Sequence, residues 1–325
     1  MSRLVDTTYP QAPEKRTEWI VAQRPERAQL DPNRPYAFFV ENERSATGEV
    51  VPVATIFLTN RECPWRCVMC DLWKNTLIDS VAPGAIPRQI QYALYRLPPA
   101  RQIKLYNSGS FFDAQAIPPQ DYAAIANLAR HFDRVIVECH PALIGDRCFD
   151  FHNILGAPLE VAMGLETAHP AVLEKLSKRM TVEQFSVAAD KLHAHNIDLR
   201  VFLLVQPPFM RPEETLEWTQ RSLDVAFDCG ATAASLIPTR SGNGAMETLE
   251  KTSAFVPPKL ATLEAAMEYG LSLHRRRIFA DLWDLKQNTP RCPTCWPARI
   301  ERLQAMNLAQ HAPSSIACSQ CGGLS

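Results

Sequence analysis

From about residue 36 the chain alternates short apolar runs with segments whose apolar positions recur at helical spacing. Val51–Leu58, Gln102–Tyr106, Arg134–Glu138, Leu159–Leu165, Leu199–Val205 and Ala233–Ile237 read as strands. Helical patterns follow each of them, over Arg88–Arg96, Asp121–Phe132, Phe149–Leu155, Ala171–Leu176 with Val182–His195, Pro212–Phe227 and Lys259–His274. The strands are nearly continuous in apolar residues, as expected when helices cover a parallel sheet. Six successive βα units imply parallel strands joined by right-handed crossovers. They are too few for a closed eight-unit barrel, so the pattern predicts an α/β fold, a partial (β/α)6 TIM-like barrel. Chemistry is then expected at the C-terminal ends of the strands. Residues 1–35, polar and proline-dotted, read as an extended or frayed N-terminal arm. Residues 36–280 form the predicted barrel, and 281–325 a small cysteine-rich tail.

Composition refines this only a little. With 325 residues, 46% hydrophobic and 21% charged, the chain can bury a sizeable core. The formal net charge of −1 gives no overall electrostatic case for a polyanion partner. Lys175, Lys178 and Arg179 cluster, as do Arg275, Arg276 and Arg277, and both runs read as solvated faces. No apolar run reaches membrane-spanning length, and the N-terminus has no secretory core, so the expectation is a cytoplasmic protein without a membrane partner.

The cysteines change the picture. In a reducing compartment ten of them are not five disulfides. Cys63, Cys67 and Cys70 fall within eight residues, on the loop after the first predicted strand. Three thiolates bind three irons of a cubane cluster and leave the fourth without a protein ligand. A closed zinc site needs a fourth ligand, and none lies nearby in sequence. Cys292-Pro293-Thr294-Cys295 and Cys318-Ser319-Gln320-Cys321 form two further Cys-x2-Cys knuckles, followed by Gly322-Gly323. Their spacing is close to that of a zinc ribbon, with Zn2+ favoured over a second iron–sulfur cluster. Trp283 and Trp296 nearby read as ordinary core aromatics.

The Cys-x3-Cys-x2-Cys loop at this place in a βα series resembles the radical S-adenosylmethionine (SAM) superfamily. The resemblance runs from about residue 36 to about 245. It implies a [4Fe–4S] cluster on Cys63, Cys67 and Cys70, SAM on the unliganded iron, and hydrogen abstraction by a 5′-deoxyadenosyl radical. It also implies an electron donor such as flavodoxin or ferredoxin. Asn107-Ser108-Gly109-Ser110-Phe111 matches the family's glycine-rich SAM contact, which implicates Ser108, Gly109 and Ser110. Gly164-Leu165-Glu166-Thr167 matches the fourth-strand contact through Glu166, and Val137-Glu138-Cys139-His140-Pro141 a third-strand carboxylate, Glu138. Met69 stands where an aromatic residue is usual, and Ser-Gly-Ser replaces the commoner Gly-Gly-Glu. With Val205-Gln206-Pro207-Pro208-Phe209, these segments are similar to the branch holding Elongator's catalytic subunit and the archaeosine synthase radical SAM subunit, which acts on tRNA bases. The expectation is therefore a radical SAM enzyme acting on a tRNA nucleoside. The alternatives are a small metabolite or peptide as substrate, or a non-catalytic zinc-binding α/β protein. No catalytic residue beyond these contacts is assigned.

Overall fold

A computed structural model describes residues 8–285 and 291–321. Its eight strands form one sheet in sequential order. The six predicted strands are present as β2 (Val50–Phe57), β3 (Gln102–Tyr106), β4 (Arg134–Glu138), β5 (Leu159–Glu166), β6 (Asp198–Val205) and β7 (Ala233–Pro238). Two more flank them. β1 (Ala37–Arg44) pairs antiparallel with β2, and β8 (Arg277–Ala280) pairs parallel with β7. All pairs between β2 and β8 are parallel, so the sheet curls as an open half-barrel with α-helical crossovers outside.

Each crossover helix presents its apolar stripe to the sheet. α2 (Ala85–Leu94) buries Ile86, Ile90 and Ala93 at helical spacing, and α3 (Tyr122–Ala129) buries Ile125, Ala126 and Ala129. α4 (Asp146–Leu155), α5 (Pro170–Lys175) and α6 (Val182–Ala194) follow, the last opened by a Thr181/Gln184 capping box. α7 (Thr215–Asp228), the short α8 (Ala245–Lys251) and α9 (Leu260–Ser272) complete the outer layer.

The strands are buried on both faces, but the inner face is not apolar. Leu159, Val161, Met163 and Leu165 of β5 join the layer under the helices, while alternate positions place Glu160, Gly164 and Glu166 inward. At the N-terminal floor of the barrel, buried Arg200 (2% exposed) donates to Glu160 at 2.6 Å and to Glu43 at 2.6 Å. Lys104 reaches Glu43 at 2.5 Å, and Arg277 and Arg134 reach Glu160 at 2.9 and 3.3 Å. Buried charges persist in a core only when paired in this way.

The N-terminal segment is not a frayed arm over its described length. Pro13–Ala22 is helix α1, with Trp19 and Ile20 buried, and Arg16 pairs with Glu174 at 2.7 Å. The tail forms α10 (Trp296–Ala309), which lies against both β1 and β8, the two ends of the sheet. Two side-chain amides on α10 bond the free edge of β8. Asn307 accepts from Ala280 N at 2.8 Å and donates to Ala280 O at 2.9 Å; Gln310 does the same to Ile278, at 2.8 Å each. Asn307, in the last turn of α10, and Gln310, its C-cap, thus meet residues i+2 and i of the strand. Trp296 is buried in the core, whereas Trp283 is half-exposed and stacks on Phe39 at 5.3 Å. Among the described residues, no helix is long and apolar enough to cross a membrane.

Candidate active site

The three-cysteine loop leaves the C-terminal end of β2 and is fastened from several sides. Glu62, just before Cys63, gathers Arg24 at 2.8 Å, Arg27 at 2.5 Å and Arg66 at 3.2 Å. The first two arginines come from the N-terminal segment, and Arg24 also lies over the Trp73 ring at 4.5 Å. Buried Asn243 donates to Val68 O at 2.8 Å and Cys70 O at 3.1 Å. Cys63, Cys67 and Cys70 are each partly buried. Desolvation pushes all three thiols up to about 12, against modest opposing contributions that include the Lys178 charge near Cys63 and Cys67. Such thiols ionise only with a compensating cation at hand.

The segment after β3 closes against this loop. A Cβ on Gly109 would lie 3.2 Å from Cys63 Cβ, so glycine alone permits the approach without a shift. Glu138, at the end of β4, accepts from Asn107 N at 2.6 Å and Gly109 N at 3.2 Å. Burial raises its carboxyl to about 7 even against these amides. Ser110 Oγ accepts from His140 N at 2.9 Å, and Tyr36 Oη lies 2.9 Å from Ser108 Oγ. Ser108, Gly109, Ser110 and Glu138 are thereby assembled beside the cysteines, with Glu138 acting as the brace beneath the loop. Both polar atoms of the Asn107 side chain are buried without a partner among the described residues.

Glu166 ends β5 on the same rim, where a register shift follows Gly164. Its carboxylate pairs with buried Lys178, and a Cβ on Gly164 would occupy the space of both groups. Lys178 is therefore not part of a solvated basic face. Arg179 is exposed, as the sequence suggested, but Lys178 turns inward. Rim residues other than glycine that hold left-handed backbone include Ser108 (φ 53°), Glu166 (φ 66°), Gln206 (φ 58°) and Phe209 (φ 69°). Such conformations persist where the surroundings over-determine them, and they concentrate at functional sites.

Sequence reasoning also passed over His140. Its ring stacks on Trp65 at 3.8 Å, with 10° between the planes. Nδ1 accepts from Ala142 N at 3.1 Å, which leaves Nε2 to donate to Lys178 O at 3.0 Å. Burial and the nearby Lys178 charge lower this imidazole to about 4, so it is neutral near pH 7. His140 belongs to the Glu138-Cys139-His140-Pro141 segment, but nothing local in sequence pairs it with Trp65.

A second cluster lies in the tail. Cys292 and Cys318 sulfurs are 3.8 Å apart and those of Cys295 and Cys321 3.6 Å, with all four within 4.8 Å. Backbone N–H groups of Cys295 and Thr294 lower the Cys292 thiol. Cys295 caps the N-terminus of α10, and Cys318 and Cys321 return to it from beyond the helix. Gly322 and Gly323 lie outside the described residues.

No family model matches the chain. It is 24% identical over 268 residues to an uncharacterized protein of Methanocaldococcus jannaschii, covering 77% of this chain and 73% of that one. It is 22% identical over 284 residues to the archaeosine synthase subunit beta of Methanosarcina acetivorans, covering 82% and 81%. Among solved structures, Elp3 of Methanocaldococcus infernus superposes with a TM-score of 0.50 at 15% identity, over 72% of this chain and 59% of that one. The expected similarity to the branch holding the Elongator and archaeosine synthase subunits is thereby borne out, and the half-barrel fold with it.

Proposed function

We propose that this chain is a radical SAM enzyme whose cluster is held by Cys63, Cys67 and Cys70. One observation carries the reading: the three-cysteine loop packs on Ser108–Ser110 through Gly109, at the C-terminal rim of the barrel, with Glu138 and the Glu166–Lys178 pair on the same rim. The residues suit the implied groups. Three soft thiol donors on one loop leave one iron of a [4Fe–4S] cluster free, and the unpartnered Asn107 amide offers donors and an acceptor to a polar ligand. When bound, the reduced cluster supplies the electron that cleaves SAM to methionine and a 5′-deoxyadenosyl radical.

The chain's own part is to bind, orient and exclude. Gly109 lets the backbone approach the cysteine loop, and Glu138 fixes that backbone through two amides. Ser108, Ser110 and Glu166 present polar groups to SAM. Lys178 holds the Glu166 carboxylate in place and keeps a positive charge beside the thiolates. The Trp65–His140 stack covers the loop with a neutral, water-excluding surface.

A tRNA nucleoside is the proposed substrate, supported by the archaeosine synthase relative. The net charge of −1 favours the second reading, a small metabolite or peptide. For the tail we propose a single zinc ion. A zinc–sulfur bond of about 2.3 Å sets the edge of a sulfur tetrahedron at about 3.8 Å. The 3.8 and 3.6 Å separations fit one ion, whereas a second cluster would spread its thiolates around several irons.

The test is anaerobic reconstitution with iron and sulfide, then SAM and dithionite, with 5′-deoxyadenosine as the readout. Formation of this product is expected, and so is its loss in Cys67→Ala. A variant that still cleaves SAM, or a protein that binds only zinc at both sites, would sink the assignment.

A further inference from the structure

The floor of the barrel, opposite the rim that carries the cysteines, contains a cavity of 470 Å3. It lies between the β1–β2 hairpin, the start of β6, the loop entering β8 and the end of α10. Arg44, Arg275, Arg276, Arg277 and His274 line it, with Asp198 the one acidic neighbour. In a chain of net charge −1 this is a marked local excess of cations.

Several of these charges are already answered, and two are not. Asp198 is held by Arg134. Arg275 pairs with Asp228 at 2.9 Å, and Arg277 with Glu160 at 2.9 Å, a carboxylate it shares with Arg200 and Arg134. Arg44 meets only a carbonyl, Leu308 O, at 3.5 Å, and Arg276 is exposed. Neither faces a carboxylate among the described residues. The Arg44 guanidinium lies beside Gly48, where a Cβ would stand at an ordinary contact distance of 3.7 Å.

We propose that this cavity is an anion site for a phosphate ester, read by the Arg44 and Arg276 guanidiniums. Their planar forks match phosphate oxygens two at a time, and each is free to do so without breaking an existing ion pair. The volume accommodates a nucleoside phosphate, or one phosphodiester segment of a polynucleotide. The floor lies about 20 Å from the rim, given strands of about six residues at about 3.3 Å each. The site is therefore separate from the SAM site and stands whether or not that assignment holds.

Full-length protein would be titrated with inorganic tripolyphosphate and, separately, with a short single-stranded RNA, both at fixed low salt. Binding of either probe is expected, weakened roughly tenfold per guanidinium in Arg44→Ala/Arg276→Ala. Arg44→Lys/Arg276→Lys should recover part of it, and thermal midpoints of all three proteins should agree. If tripolyphosphate binds, a free nucleotide-type ligand is indicated. If RNA alone binds, with affinity falling steeply as salt rises, the phosphate belongs to a polynucleotide. Absence of binding by both probes, or equal affinity in wild type and the double alanine variant, overturns the proposal. 5′-Deoxyadenosine formation should be the same in all variants.

Discussion

Replacing Arg200 by methionine tests the reading of the barrel floor. The guanidinium is 2% exposed and bonds Glu160 and Glu43, each at 2.6 Å. Methionine approximates the volume and removes the charge, leaving two buried carboxylates short of one cation. Breaking a buried pair from one side typically costs about 3–5 kcal/mol. The low end applies, because Glu43 retains Lys104 at 2.5 Å and Glu160 retains Arg277 at 2.9 Å. With an unfolding entropy of about 2 cal/mol/K per residue, a loss of about 3 kcal/mol lowers the thermal midpoint by about 4 °C. The effect is also pH-dependent. Burial raises the Glu160 carboxyl, but Arg200, Arg277 and Arg134 outweigh it and lower it from 4.5 to about 2; Glu43 is likewise held low against burial by Arg200 and Lys104. A depressed carboxyl contributes stability that is complete above pH 4.5 and lost as pH falls toward 2. The difference between wild type and Arg200→Met should therefore be largest near pH 7 and shrink on acidification. Calorimetry at pH 7 and pH 3.5 reads both. Equal midpoints at pH 7, or a gap that widens in acid, would refute the reasoning.

Gly164→Ala should displace the Glu166–Lys178 pair and depress SAM cleavage at least tenfold, with little change in far-UV circular dichroism; full activity would count against a role for that pair. Cys318→Ser should remove the tail ion and lower thermal stability while iron content at the barrel rim stays unchanged, as measured by elemental analysis. Asn307→Ala with Gln310→Ala should cost about 1 kcal/mol for each lost hydrogen bond, read by denaturant midpoint, and an unchanged midpoint would mean that the amides do not hold β8.

The six central strands and the cysteine loop were legible because their signals are local. A parallel strand covered on both faces is an apolar run, and three thiols on one loop show directly as a Cys-x3-Cys-x2-Cys spacing. β1 escaped because its second half, Glu41-Asn42-Glu43-Arg44, reads as polar, although Glu43 points into the barrel and is paired there. β8 escaped because it has four residues, opens on Arg277 and follows two more arginines, Arg275 and Arg276. Lys178 was misread for a related reason. Its neighbours Lys175 and Arg179 suggest a solvated face, and only Glu166, on a separate strand, makes its burial affordable. The partnership of His140 with Trp65 was out of reach in the same way, since the two residues lie on loops after different strands.

The amide pair on α10 has a consequence for how the chain behaves outside its folded state. β8 is the last strand of the sheet, and its outward N–H and C=O groups at Ile278 and Ala280 would otherwise form an unpaired edge, a template for another chain. Asn307 and Gln310 imitate a ninth strand without extending the sheet. The helix that carries them is bracketed at one end by Cys292 and Cys295 and tied back by Cys318 and Cys321. On the proposed zinc reading, a chain starved of that ion would uncover a sticky β-edge, and self-association, more than lost chemistry, would be the first symptom.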